Sequence, residues 1–135
     1  MSYQIEFANE PHYLHAIVTG LNLADNIRGY LRDVLSECVK LNADCLLIEE
    51  RLDGPRLGTF EVYQIVVEGS KDALGVFKAI AFVDVNDNDG MMSFAETVAV
   101  NRGIPIRVFR QVEEAKRWLS NIDTENGVQI KEFET

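Results

Sequence analysis

The sequence is poor in positive charge, and this shortage excludes two classes of partner. Lysine and arginine total 13 against 22 aspartates and glutamates, which gives a formal net charge of −9. A surface of that sign repels the phosphates of nucleic acids and of anionic lipid headgroups. We therefore expect no nucleic-acid partner and no binding to a membrane surface.

Cysteine and long apolar runs are also scarce. Cys38 and Cys45 are the only cysteines, and their spacing, without nearby histidines, matches neither a zinc site nor a disulfide framework. We expect both to be buried, reduced thiols. No segment approaches the roughly 18 to 20 consecutive apolar residues of a membrane span, and the start MSYQIEFANE lacks the basic and apolar regions of a signal peptide. These features predict a cytoplasmic protein without a membrane span.

Hydrophobic residues are plentiful and follow alternating strand and helix patterns. The 135 residues, 47% of them hydrophobic, suffice for one packed core. We predict a single domain over residues 1–121 and a C-terminal tail over residues 122–135 that can form an edge strand. Two strand-like runs, YQIEFA and YLHAIVTG, precede a helical pattern, and the later strands CLLIEER, KAIAFVDV and IPIRVF each precede another one.

The predicted order of elements is ββαβαβαβα, which indicates an α/β fold. Such alternation demands parallel strands joined by right-handed crossovers, while the first two strands form an antiparallel hairpin. Polar residues at three helix starts predict the caps, and these are Asn22 with Asp25, Thr59, and Ser93 with Glu96.

Residues 94–119, FAETVAVNRGIPIRVFRQVEEAKRWL, resemble the closing signature of the SpoIIAA-like proteins, a family related to STAS domains. That signature is a helix ending in Asn-Arg-Gly, a short strand ending in Val-Phe, and a helix with Glu-Glu-Ala and Trp-Leu. Earlier segments, HAIVTGLN and CLLIEERLDGPR, agree with the family's early and middle strands. The resemblance implies a right-handed β/α superhelix with a mixed, mostly parallel sheet, a fold shared with STAS and CRAL-TRIO lipid-binding domains.

The resemblance implies little about activity, but the related STAS domains have a usual role. STAS domains are usually protein-interaction switches, phosphorylated on a serine or threonine in the loop after the middle strand. Here that loop reads RLDGPRLGTFE, which lacks the Asp-Ser-Ser-Gly element and offers Thr59 as its only hydroxyl. Thr59 is thus a candidate phosphosite with Arg56 nearby to pair the phosphate, and helix capping is the alternative explanation for it.

Acidic residues follow two strands that we expect to be parallel neighbours. Glu49, Glu50 and Asp53 end one strand, and Asp84, Asp87 and Asp89 follow the other. Ligands of open α/β sheets bind at this edge, and paired carboxylates can hold Mg²⁺ there. We favour a solvated acidic edge instead. The segment DVNDNDGMMSF is not an EF-hand loop, because its glycine stands one place late and a strand precedes it.

A cavity for an apolar ligand is another possibility. Large apolar residues that could line it, but that more often form core, are Met91, Met92, Phe94, Phe60, Phe77 and Phe82. Met91 and Met92 are adjacent at a helix entrance and cannot both face one core. We expect one of them to mark a partner surface.

No catalytic motif is recognisable. The sequence has no nucleophile elbow, phosphate-binding glycine loop or zinc-protease motif, and we expect His15 to be a packed or half-exposed strand residue rather than a general base. We predict a protein-interaction module that is not an enzyme, needs no cofactor and can pair with its own copy as a homodimer. The alternatives are a carrier or sensor of a small apolar ligand, and a metal-dependent enzyme on the acidic edge. Residues predicted to contact a partner or ligand are Asp53, Gly54, Arg56, Thr59, Phe60, Asp87, Asn88, Asp89, Met91 and Met92.

Overall fold

The computed structural model describes residues 3–87 and 90–122, which form one five-stranded sheet covered by helices. Its elements in chain order are β1 (Tyr3–Asn9), β2 (Leu14–Leu21), α1 (Ala24–Leu41), β3 (Cys45–Asp53), α2 (Thr59–Ala73), β4 (Ala79–Asp84), α3 (Met91–Val100) and β5 (Ile106–Phe109). A last helix, α4, spans residues 112–122. The predicted order ββαβαβαβα is confirmed.

The strands lie side by side in the same order as in the chain. β1 and β2 pair antiparallel, and every later pair is parallel, so the predicted mixed, mostly parallel sheet is confirmed. Glu50 of β3 stands opposite Val18 of β2 on one side and opposite Asp84 of β4 on the other. The ends of β2, β3 and β4 therefore meet at one edge of the sheet, which we call the carboxyl edge.

Each face of the sheet has its own core. Leu46 and Ile48 of β3 pack with Tyr30 and Val34 of α1 on the face that α1, α2 and α3 cover. Leu47 lies on the other face, against α4. Because successive side chains of a strand point to opposite faces, the neighbours Glu49 and Glu50 are separated by the sheet itself.

The predicted caps of the first two helices are wrong. α1 has Leu23 at its N-cap position, and Asn22 instead donates its side-chain amide to the carbonyl of Pro55 over 2.7 Å. That bond ties the β2–α1 connection to the loop after β3. In α2 the N-cap is Gly58, whose backbone N–H donates to Oε1 of Glu61 over 3.4 Å, and Thr59 is the first helical residue.

The predicted capping box of α3 is also wrong, because the helix begins earlier than Ser93. Gly90, with φ of 75°, is its N-cap, and the left-handed conformation there suits glycine. Glu96 accepts a hydrogen bond from the backbone N–H of Val108 over 2.7 Å instead. Its side chain therefore ties α3 to β5 rather than closing the first turn of its own helix.

Two predictions fall partly beyond the described residues. Residue 122 belongs to α4, and the predicted edge strand in residues 123–135 lies outside the part of the chain that the structure describes. Asn88 and Asp89 are likewise outside it. Among the described helices, none is both long and apolar enough to cross a membrane.

Candidate functional site

A cavity of about 420 Å³ lies between the sheet and helices α1, α2 and α3. The sheet contributes apolar side chains from three strands to it, and the three helices and the connecting loops contribute the remaining walls. Representative lining residues are Ile48, Phe82 and Val108 from the strands, and Ile27, Leu31 and Val66 from the helices. A cavity of this size falls in the range of roughly 300 to 1,000 Å³ that is typical of small-molecule pockets.

A glycine on α2 leaves part of the cavity unfilled. Gly69 lines the cavity in the middle of the helix, where it presents no side chain. A β-carbon placed on Gly69 would lie 4.0 Å from Cδ1 of Leu31, which is an ordinary contact distance. The position can therefore accept a side chain without a clash, and a long side chain there would extend into the cavity.

One end of the cavity is polar, and we call Tyr30, Glu50 and Arg56 its polar end. Tyr30 is fully buried in the core face of α1 and donates its hydroxyl to Oε2 of Glu50. Arg56 forms an ion pair with Asp84, whose side chain is buried behind it. Asp84 also accepts the backbone N–H of Asn86 over 2.9 Å, which holds the carboxylate in place.

Burial controls the protonation of this end. Glu50 is 3% exposed, and the loss of water raises its pKa to about 7, although the hydrogen bond from Tyr30 and the charge of Arg56 lower it. The negative charge of Asp84, which stands opposite Glu50 on the neighbouring strand, raises the pKa further. Burial, followed by the neighbouring Glu50 charge, also raises the pKa of Tyr30 well above its usual value.

A second buried polar cluster lies on the opposite face of the sheet. Nε2 of His15 is 2.8 Å from Oε1 of Glu49, and Arg51 binds Oε2 of the same carboxylate over 2.5 Å. His15 is buried, which agrees with the predicted packed histidine. Its partners tie β2 to β3, so the cluster joins two adjacent strands and does not reach the cavity.

The prediction that the acidic edge is solvated is wrong for three of its residues. Glu49, Glu50 and Asp84 are all buried, whereas Asp53 is exposed. Hydrogen bonds and ion pairs compensate the buried carboxyl groups, because a buried charge without such partners would cost the fold several kcal/mol or more. Among residues 3–87 and 90–122, no group of three or more His, Cys, Asp or Glu side chains is placed to hold a metal ion.

A solved structure shares this architecture. It is the crystal structure of an uncharacterized protein of the DUF3478 family, with a SpoIIAA-like fold, from Shewanella loihica PV-4. The similarity has a TM-score of 0.52 at 14% sequence identity and covers 87% of this chain and 93% of the other. This chain has a SpoIIAA-like fold. No protein-family model and no curated protein sequence matches it.

Within the SpoIIAA-like fold, only some of the predicted site residues come together. Arg56, Met91 and Met92 all line the cavity. Met92 is buried and Met91 is half-buried, and the expectation that one of them marks a partner surface stays a prediction. The remaining described residues of the predicted set are exposed or half-buried and do not line the cavity, and they are Asp53, Gly54, Thr59, Phe60 and Asp87.

Two important residues of the site, Tyr30 and Gly69, were not predicted from the sequence. Tyr30 occupies the apolar stripe of α1, and a buried tyrosine normally needs a hydrogen-bond partner. That rule signals a polar contact but does not identify Glu50 as the partner. Gly69 carries a weaker signal, since a glycine inside a helix lowers its stability and often has a packing reason.

Proposed function

We propose that this protein is a non-enzymatic regulatory module whose input is a small, largely apolar molecule bound in the cavity of the SpoIIAA-like fold. The cavity itself carries the proposal, because its apolar walls and few polar groups match the composition of ligand sites. If each non-hydrogen atom occupies about as much space as a water molecule, roughly 30 Å³, the 420 Å³ hold about 14 such atoms. The ligand is therefore the size of a medium-chain alcohol or a two-ring compound.

We further propose that a protein partner binds at the carboxyl edge and distinguishes the ligand-bound protein from the ligand-free one. Four large apolar side chains are exposed in the segments that follow or begin there: Leu21, Leu23, Phe60 and Val85. Phe60 is 70% exposed and lies in the first turn of α2, the helix whose inner face lines the cavity. A change in the position of α2 on ligand binding would move Phe60 directly. A second copy of the chain is one candidate partner.

Binding to the cavity can be tested with 1-decanol, whose ten carbons and one oxygen fit the volume. Isothermal titration calorimetry of the wild type should show binding at one site, and the thermal midpoint should rise with alcohol concentration. Gly69→Leu should weaken binding at least about tenfold, because its side chain occupies the cavity. Gly69→Ala is the matched control, since it alters the same helix position but fills little space.

Two results would contradict the proposal that the cavity binds this ligand. One is the absence of a binding signal for 1-decanol up to its limit of solubility in water. The other is equal affinity of the wild type and Gly69→Leu, which would place the alcohol elsewhere. Native mass spectrometry of the purified protein gives an independent check, because it reports a retained molecule and the oligomeric state together.

The partner surface calls for a separate test. Phe60→Ser removes the most exposed of the large apolar side chains and leaves the cavity lining intact. We expect it to weaken self-association or partner capture without changing the affinity for 1-decanol. Val39→Ser, at another exposed apolar site on α1, is the matched control. Equal behaviour of the two variants would argue against the carboxyl edge as the partner surface.

A further inference from the structure

We infer that the cavity selects molecules with an uncharged or cationic polar group and rejects carboxylates, and this inference rests on the proposed ligand-binding function. The distinction matters because a fatty acid and a fatty alcohol of equal length fill the same apolar space. Only the polar end of the cavity can tell them apart. The selection follows from how the charges of that end are arranged.

The charge of Arg56, the cation of the polar end, is already balanced by a carboxylate. Arg56 is paired with Asp84, and Glu50 lies beside both of them. The guanidinium therefore faces two carboxyl groups before any ligand arrives. With Glu50 protonated the charges of Arg56 and Asp84 cancel, and with Glu50 ionised one negative charge remains. In neither state does the polar end carry the positive charge that a bound carboxylate would need.

The outer parts of the cavity do not reverse this balance. Beyond the polar end, the charged residues along it are Arg28, Arg32, Glu68, Asp72 and Glu96. Arg28 is paired with Glu68 over 3.0 Å. The outer lining thus has two arginines against three carboxylates, so an anion meets an excess of negative charge along the cavity.

An uncharged polar group, by contrast, can form hydrogen bonds at the polar end. A hydroxyl both donates and accepts, and the Tyr30 hydroxyl and the Glu50 carboxyl offer both functions in one place. An ammonium group gains most when Glu50 is ionised. The titratable and charged groups around Glu50 are Tyr30 from α1, Asp84 from β4 and Arg56 from the β3–α2 loop, while Val18, its partner on β2, is apolar.

Three probes of equal chain length test the selection, namely 1-decanol, decanoate and decylammonium. Each is titrated calorimetrically into the full chain below its aggregation limit, at about pH 6 and about pH 8, on either side of the pKa of about 7 for Glu50. We expect decanoate to bind at least about tenfold more weakly than 1-decanol at both pH values. The affinity of decylammonium relative to 1-decanol should rise from the lower to the higher pH.

Glu50→Gln tests whether this residue sets the pH response. The amide keeps the shape of the side chain but does not titrate, so the ratio of decylammonium to 1-decanol affinity should become independent of pH. Glu49→Gln is the matched control, since it makes the same change at the neighbouring buried carboxyl on the opposite face of the sheet. That variant should keep the pH response of the wild type.

The outcomes separate this inference from the proposed function. If decanoate binds as tightly as 1-decanol, or more tightly, the selection is refuted while the cavity remains a ligand site. A pH response that survives in Glu50→Gln also refutes the assigned role of the polar end. If none of the three probes binds the wild type, both the selection and the proposed function fail.

Discussion

Replacing Glu50 by glutamine should stabilise the protein, and the gain should depend on pH. The pKa of Glu50 is about 7 in the folded chain against an ordinary value of 4.5, mainly because burial disfavours the charged form. The folded state therefore binds more protons than the unfolded state between these values. Its free energy of unfolding must fall as the pH rises from about 4.5 to about 7, and then level off with respect to this group.

The size of the effect follows from the shift. A difference of about 2.5 pH units, multiplied by about 1.36 kcal/mol for each unit, gives about 3 kcal/mol as an order of magnitude. Glutamine is uncharged at every pH in this window and loses none of this stability. The advantage of Glu50→Gln over the wild type should therefore grow by up to about 3 kcal/mol between about pH 4.5 and about pH 7.

Urea unfolding of both proteins across this pH range measures the difference directly. Comparison within the pair cancels the titration of all other groups, provided that both unfold in a single cooperative transition. Carbon NMR of a labelled Glu50 carboxyl gives its pKa independently. A difference in stability that stays constant across the range would refute the claim that Glu50 is buried at a cost to its charged form.

Other substitutions probe the same region. Gly69→Ala should raise the free energy of unfolding by about 0.5 to 1 kcal/mol in urea titrations, because alanine favours the helix and meets no clash at 4.0 Å from Leu31; a loss of stability would show that the space is not there. Tyr30→Phe should cost about 1 to 3 kcal/mol in the same assay, since it leaves a buried oxygen of Glu50 without its donor, and an unchanged midpoint would contradict that contact. Cys38 should resist a thiol reagent in the folded protein and react after unfolding, because burial raises its pKa to about 11; labelling at the rate of an exposed thiol would overturn this.

Much of the fold could be predicted from the sequence because the spacing of apolar residues indicates both the type of each element and the face that it buries in the core. Leu46 to Ile48 are apolar in succession, as in a strand buried on both faces, and the structure places them there. The helical spacing of Val34 and Cys38 likewise puts both in the core of the covered face. The order of the helices and strands is then compatible with only a few arrangements of the strands in the sheet.

The caps and the polar site could not be predicted in the same way. Asn22, Thr59 and Ser93 are all competent caps. In the structure, however, Asn22 binds the Pro55 carbonyl, α2 already begins at Thr59, and the left-handed backbone at Gly90 starts α3 before Ser93. A shift of one residue in the register of a strand moves each side chain to the other face of the sheet, so the sequence alone does not show which face the last carboxylates occupy. Sequence proximity groups Glu49 with Glu50, and the structure assigns them to different networks on different faces.

The sequential order of the strands has a consequence for how the chain acquires its structure. Each new strand pairs with the one completed just before it, so the sheet extends in one direction as residues are added. Pairing of successive strands closes smaller loops than pairing of distant strands would, so its loop-closure entropy cost is lower. During synthesis, β1, β2, α1 and β3 can assemble before the later elements leave the ribosome. Asp84, the ion-pair partner of Arg56, then arrives with β4, next to the Tyr30 and Glu50 side chains that are already in place.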